Sequence, residues 1–151
     1  MHILLAVDES PFSRLAIDRV AEGFHPEGVT VHVLHVMQWA TVVPTSFCFG
    51  RGGSYAPQIE AALETGRRQA LELASSVAQT LQAAGFRTTV VVREGDPETE
   101  ILACENDIHP DLIVMGSHHR TGFDHFLLGS VSEAVSRRSH CAVEVVRQPA
   151  N

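Results

Sequence analysis

The stretch HILLAVDESP, residues 2–11, decides the fold. After His2 the run is apolar with no polar alternation, which marks a strand covered on both faces. Asp8 and Glu9 end it. Ser10 then has the chemistry of a helix N-cap, and Pro11 suits the first helical position. A strand of this kind that passes at once into a helix opens a β-α-β unit, and the chain repeats the pattern. VTVHVLHV (29–36), RTTVVVRE (87–94), DLIVMG (111–116) and AVEVVR (142–147) read as further strands, rich in β-branched residues. Between them lie helical patterns. One ends at Gly23. One spans 57–84, with Ile59, Leu63, Ala70, Leu71, Leu73, Ala74, Val77, Ala78 and Leu81 at helical spacing and Gly85 as its terminator. A third is capped by Asp96 and runs to about Asn106, and a fourth spans 130–138. The expected fold is a single α/β domain over 1–151: an open, five-stranded, mostly parallel twisted sheet with helices on both faces, Rossmann-like, in strand order 3-2-1-4-5. A long irregular stretch at 37–56 interrupts the alternation, and a loop of that length suits a lid, a binding loop or a partner contact.

Composition narrows the function. The formal charge is −7, and all 11 basic residues are arginine. An acidic domain without a basic face is a poor nucleic-acid binder, and the paired arginines at 67–68 and 137–138 are too isolated to make one. Without lysine there is neither Schiff-base chemistry nor a lysine-dependent P-loop. Cys48, Cys104 and Cys141 form no C-x-x-C, which excludes zinc ribbons and thioredoxin-like redox chemistry and suits a reducing compartment. The N-terminal run turns acidic too soon for a signal peptide, and no apolar run reaches the roughly 18 residues of a membrane span. A cytoplasmic location, with no membrane partner, is the expectation.

In open parallel sheets, ligands bind beyond the carboxyl ends of the strands where the strand order reverses. That places Asp8 and Glu9, Val36 and Met37, Glu94 and Gly95, and the stretch MGSHHRTGFDHFLLGSVSEAV (115–135) around a site. If strands one and four are neighbours, Asp8 lies opposite Gly116. Gly116 is expected to let the chain turn sharply off its strand. Free N–H groups behind Gly129 and the Ser130 hydroxyl have the chemistry of a phosphate cradle. The same residues serve equally as a turn and an ordinary N-cap.

The motifs carry more than the pattern does. VDES after the first strand, LHV closing the second, IVMGS closing the fourth, LLGSVSEAV and the final EVVR make the chain similar, along almost its whole length, to the universal stress protein family. The family's nucleotide signature, G-x2-G-x9-G-[ST], is matched by Gly116, Gly129 and Ser130, with His119 where the second glycine belongs. The resemblance implies an adenine-nucleotide site for ATP or AMP, with or without Mg²⁺. It implies Asp8 on the adenosine side with Ala6 and Val7 nearby, and Val36 presenting its backbone to adenine. Met115 and Gly116 would line the ribose and the way to the phosphates, His118 would lie beside them, and Gly129, Ser130, Val131 and Ser132 would hold their oxygens. It also implies a homodimer through the C-terminal strand, a regulatory stress-response role and an unidentified protein partner. His119 departs from the pattern: its side chain either obstructs the phosphate path or donates to a phosphate. The alternative is a nucleotide-free dimeric interaction module of the same fold, closed by His119.

Other chemistry is weaker. His118, His119, His125 and His140 have no carboxylate or cysteine at ligand spacing, so no metal site is assigned. His32 and His35, three apart on a strand, point to opposite faces, and His35 is expected to be a satisfied histidine near the end of the sheet. Ser130, His118 and Asp8 compose a hydrolase triad only on paper, without a G-x-S-x-G elbow. No catalytic residue is assigned, and slow ATP hydrolysis is the most that is expected.

Overall fold

A computed structural model of the chain describes residues 1–39, 56–117 and 129–147. Five strands alternate with four helices among the described residues: β1 (His2–Val7), α1 (Pro11–Gly23), β2 (Thr30–Met37), α2 (Ala56–Ala83), β3 (Arg87–Glu94), α3 (Pro97–Ile108), β4 (Leu112–Gly116), α4 (Ser130–Arg138) and β5 (Ala142–Val146). All four strand pairings are parallel, in the order β3-β2-β1-β4-β5. β1 is central, with Val7 opposite His35 of β2 and Ala6 opposite Met115 of β4. The strand order reverses between β1 and β4.

β1 shows why the sheet is covered on both sides. Its side chains alternate between two cores. Ile3, Leu5 and Val7 join Ala16 and Val20 of α1 and Ala74, Val77 and Leu81 of α2. Leu4 joins Ile101 and Cys104 of α3 and Val135 of α4, with Ala6 packed beside them. Ile3, Leu4 and Leu5 are wholly buried. Leu71 fits the apolar spacing of α2 but is 53% exposed, because its position lies off the stripe that meets the sheet.

The predicted caps form where their chemistry allows. Ser10 and Asp96 accept from the N–H groups of Ser13 and Thr99, satisfying donors that the first helical turn leaves free. Gly85, at φ +96°, ends α2 with its N–H on Gln82 while the Phe86 N–H reaches Leu81. α3 runs two residues beyond the expected end at Asn106. His109 stops it in the left-handed region at φ 50° and donates its N–H to the Glu105 carbonyl. Pro110 then prevents continuation. Histidine occupies that conformation more readily than most residues, and no glycine announces the stop.

Glu105 holds α3 to the turn before β5. It is 4% exposed, and its Oε1 accepts from the Ser139 hydroxyl at 2.8 Å and from the N–H groups of His140 at 2.7 Å and Cys141 at 2.9 Å. Burial raises its carboxyl, but these three donors outweigh burial and hold it below the usual carboxylate range. Because the folded group is the stronger acid, its contribution to stability is present above the ordinary glutamate value, about 4.3, and fades as pH falls through the folded value. We expect Glu105→Ala to lower unfolding free energy by about 3 kcal/mol in urea titrations, since three donors lose a charged acceptor. The stability gap between wild type and Glu105→Gln should be largest near neutral pH and narrow on acidification.

Candidate functional site

The carboxyl ends of β1 and β2 open into a cleft of about 660 Å³, closed on one side by α2. This is within the usual size of a small-ligand site, roughly 300–1,000 Å³. The strand ends contribute Asp8, Glu9, His35, Val36, Met37 and Gln38, and α2 contributes Ala61, Ala62, Thr65, Gly66, Gln69 and Ala70. Ala62, Gly66 and Ala70 recur every fourth residue and share one helix face, so α2 approaches with almost no side-chain bulk.

Asp8 and His35 on the strand side are already oriented. The Asp8 Oδ1 accepts from the N–H and the hydroxyl of Ser10, while the Asp8 N–H donates to the Ser13 hydroxyl at 3.0 Å. Asp8 is therefore locked to the start of α1, with its side chain exposed at the cleft. His35 Nδ1 lies 2.8 Å from the Val7 carbonyl oxygen. The expected satisfied histidine is present, half-buried, and it also lines the cleft. The Thr65 hydroxyl donates to the Ala61 carbonyl at 2.9 Å.

The other flank lies across β1, at the end of β4. Gly116 has no positive φ, so it does not make the sharp glycine-specific turn expected of it. Its requirement is steric. A Cβ there would stand 2.4 Å from the Phe12 carbonyl oxygen and 2.5 Å from its carbon, so the first turn of α1 sits directly against the glycine. Beyond it, Ser117 is 4% exposed and donates its N–H to the Val146 carbonyl, while its hydroxyl oxygen lies 3.4 Å from the Gly129 N–H. This contact brings the start of α4 to the end of β4. Gly129, at φ −63°, is the N-cap of α4, and Ser130 is its first helical residue, with an exposed side chain. The Ser132 hydroxyl is buried and donates to the Gly129 carbonyl at 3.0 Å.

The structure therefore sorts the predicted residues. Asp8 and Val36 share the cleft, and His35 stands between the chain ends of β1 and β2. Ala6 and Val7 support it from β1, Val7 through its carbonyl. Met115, 5% exposed, lies in the core on the α3–α4 face, beside Ala6 in register. Gly129, Ser130, Val131 and Ser132 form the first turn of α4 and its cap, where N–H groups lack intrahelical partners. His118, His119 and most of the 37–56 stretch lie outside the described residues. Glu9 was a candidate from its place after β1 and Ser117 lay within the 115–135 stretch, whereas Gln38, Thr65 and Gln69 were not singled out from sequence. The Ala62-Gly66-Ala70 spacing, unused in the sequence reading, is the local signal for the helix wall, and nothing local signalled the contact of Ser117 with Gly129.

Burial pushes the Cys104 and Cys141 thiols up, which keeps them protonated at neutral pH and poorly nucleophilic. Among the described residues no three potential ligands gather around a metal position. No helix among them is long and apolar enough to cross a membrane.

The family model described as the universal stress protein family matches residues 1–147. A universal stress protein of Bacillus subtilis, YxiE, is 29% identical over 147 residues, covering 96% of this chain and 97% of the relative. Among solved structures, the protein MJ0577 of Methanocaldococcus jannaschii superposes with a TM-score of 0.81 at 25% identity, over 99% of this chain and 97% of its own. An Arabidopsis thaliana family member, solved with AMP bound, shares the fold with a TM-score of 0.63 at 18% identity, over 99% and 93% of the two chains.

Gly116→Ala tests what the glycine is for. We expect the substitution to lower stability by about 1–3 kcal/mol without any ligand present, because a backbone carbonyl must move to admit the methyl group. Chemical denaturation of the ligand-free chain measures it. An unchanged midpoint would remove the packing role.

Proposed function

This chain belongs to the universal stress protein family, and from that premise we propose that it binds an adenine nucleotide, ATP or AMP, as a homodimeric cytoplasmic regulator folded as one domain. The observation that carries the reading is the cleft beside the strand-order reversal, with Asp8 and Val36 in its lining. The nucleoside enters there. The phosphates extend across β1 toward Gly129 and the N–H groups of Ser130 to Ser132, where the positive end of the α4 dipole favours an anion. Mg²⁺ accompanies the triphosphate. Acidic groups at the nucleoside end, Asp8 and Glu9, repel phosphate and favour this orientation. The AMP held by the Arabidopsis relative supports the same ligand class.

The homodimer forms through β5. Among the described residues that strand ends the sheet and pairs only with β4, and its Val143 and Val145 are half-buried. An apolar edge of this kind invites a second copy. Nucleotide occupancy changes the 37–56 segment and the dimer surface, and a protein partner reads the change. No catalytic step is assigned beyond slow ATP hydrolysis at most.

Calorimetric titration of ligand-free protein with ATP and Mg²⁺, then with AMP, tests the reading. Saturable binding near one ligand per chain is expected, and Asp8→Ala should weaken it about tenfold, the loss of one charge-assisted hydrogen bond. Absence of heat with both ligands on folded protein would favour the nucleotide-free interaction module. Sedimentation should return twice the 16.4 kDa chain mass. Hydrogen exchange across 37–56 should slow with saturating ATP.

A further inference from the structure

The cleft contains a histidine whose tautomer is fixed by its partner. His35 Nδ1 lies 2.8 Å from the Val7 carbonyl oxygen. A carbonyl only accepts, so Nδ1 must carry the hydrogen. Neutral imidazole holds one N–H and one bare nitrogen, and Nε2 is consequently a lone-pair acceptor. No hydrogen bond within the described residues uses it, and His35 is part of the cleft wall.

The groups around it have the same sense. Asp8 and Glu9 accept when ionised. The Thr65 hydroxyl has given its hydrogen to the Ala61 carbonyl, which leaves its oxygen only lone pairs. Among the described lining side chains, donor groups are carried by the amides of Gln38 and Gln69. A ligand placed here is met mainly by acceptors and must bring hydrogens of its own.

We propose that His35 is a specificity-determining residue that selects 6-amino purines over 6-oxo purines, reading the exocyclic amine with Nε2. The inference rests on the nucleotide reading above and deepens it. An exocyclic amine has two hydrogens, so His35 Nε2 accepts one and leaves the other for a second acceptor of the lining. A 6-oxo purine instead presents an oxygen lone pair to the nitrogen lone pair, and neither group has a hydrogen to place between them. A site built to receive a donor discriminates strongly against a ligand that lacks it.

The experiment titrates the ligand-free full chain with AMP, with IMP, and with the purine ribonucleoside monophosphate that has no 6-substituent. AMP should bind at least about tenfold more tightly than IMP, with the unsubstituted purine between them. His35→Asn keeps an amide N–H for the Val7 carbonyl while its shorter side chain places no acceptor at the position of Nε2. It should bring the AMP-to-IMP ratio close to one. His35→Gln, whose amide can turn either edge to the ligand, should do the same and replaces the asparagine variant if that one does not fold. Equal affinity of the wild type for AMP and IMP overturns the proposal and leaves nucleotide binding intact. So does a full AMP preference in a folded His35 variant. If folded wild type binds none of the three, the nucleotide reading falls and this inference falls with it.

Discussion

From Ile3 to Val7, β1 has no exposed direction for its side chains. Ile3, Leu5 and Val7 require helices on one face, and Leu4 and Ala6 require them on the other. A strand so constrained must sit in the middle of the sheet, with β2 on one edge and β4 on the other. The central position puts the end of β1 at the strand-order reversal, so the chain leaves the sheet at Asp8 beside an opening rather than beside a neighbouring strand. The cleft follows from this placement. Two helices cannot both cover the place where successive connections depart in opposite directions.

The features legible in the sequence were those set by local chemistry. Five apolar residues after His2, followed by two acids, a serine and a proline, define a strand, an exit and a cap within ten positions, and the caps at Ser10 and Asp96 form as their residue types dictate. Parallel order followed from alternation. What was not legible depends on residues far apart in the chain. Ser117 meets Gly129 only after β4 and α4 are placed. Glu105 reads as one acid on a solvated helix face, yet it accepts three hydrogen bonds from a turn more than thirty residues away. His35 was legible as satisfied, but its partner and its position in the cleft were not, because both require β1 and β2 in register.

The site is chemically uneven. Its strand side is acidic and rich in lone pairs, and its α2 side is narrow because the helix has small residues there. Across β1, the start of α4 offers N–H groups and the positive end of a dipole. One flank suits a donor-rich, uncharged group and the other suits an anion. The two flanks are joined through α1, whose cap holds Asp8 and whose first turn rests on Gly116.

That last contact bears on how ancestry is read from sequence. Gly116 stands where the family's nucleotide signature opens, but the packing of Phe12 demands a glycine there whether or not a nucleotide is present. A descendant that had abandoned its ligand would still be held to glycine at this position, since replacing it would cost the fold rather than the site. The signature's first position therefore records lineage, and occupancy is to be read from positions that the scaffold leaves free to drift, such as the exposed Ser130.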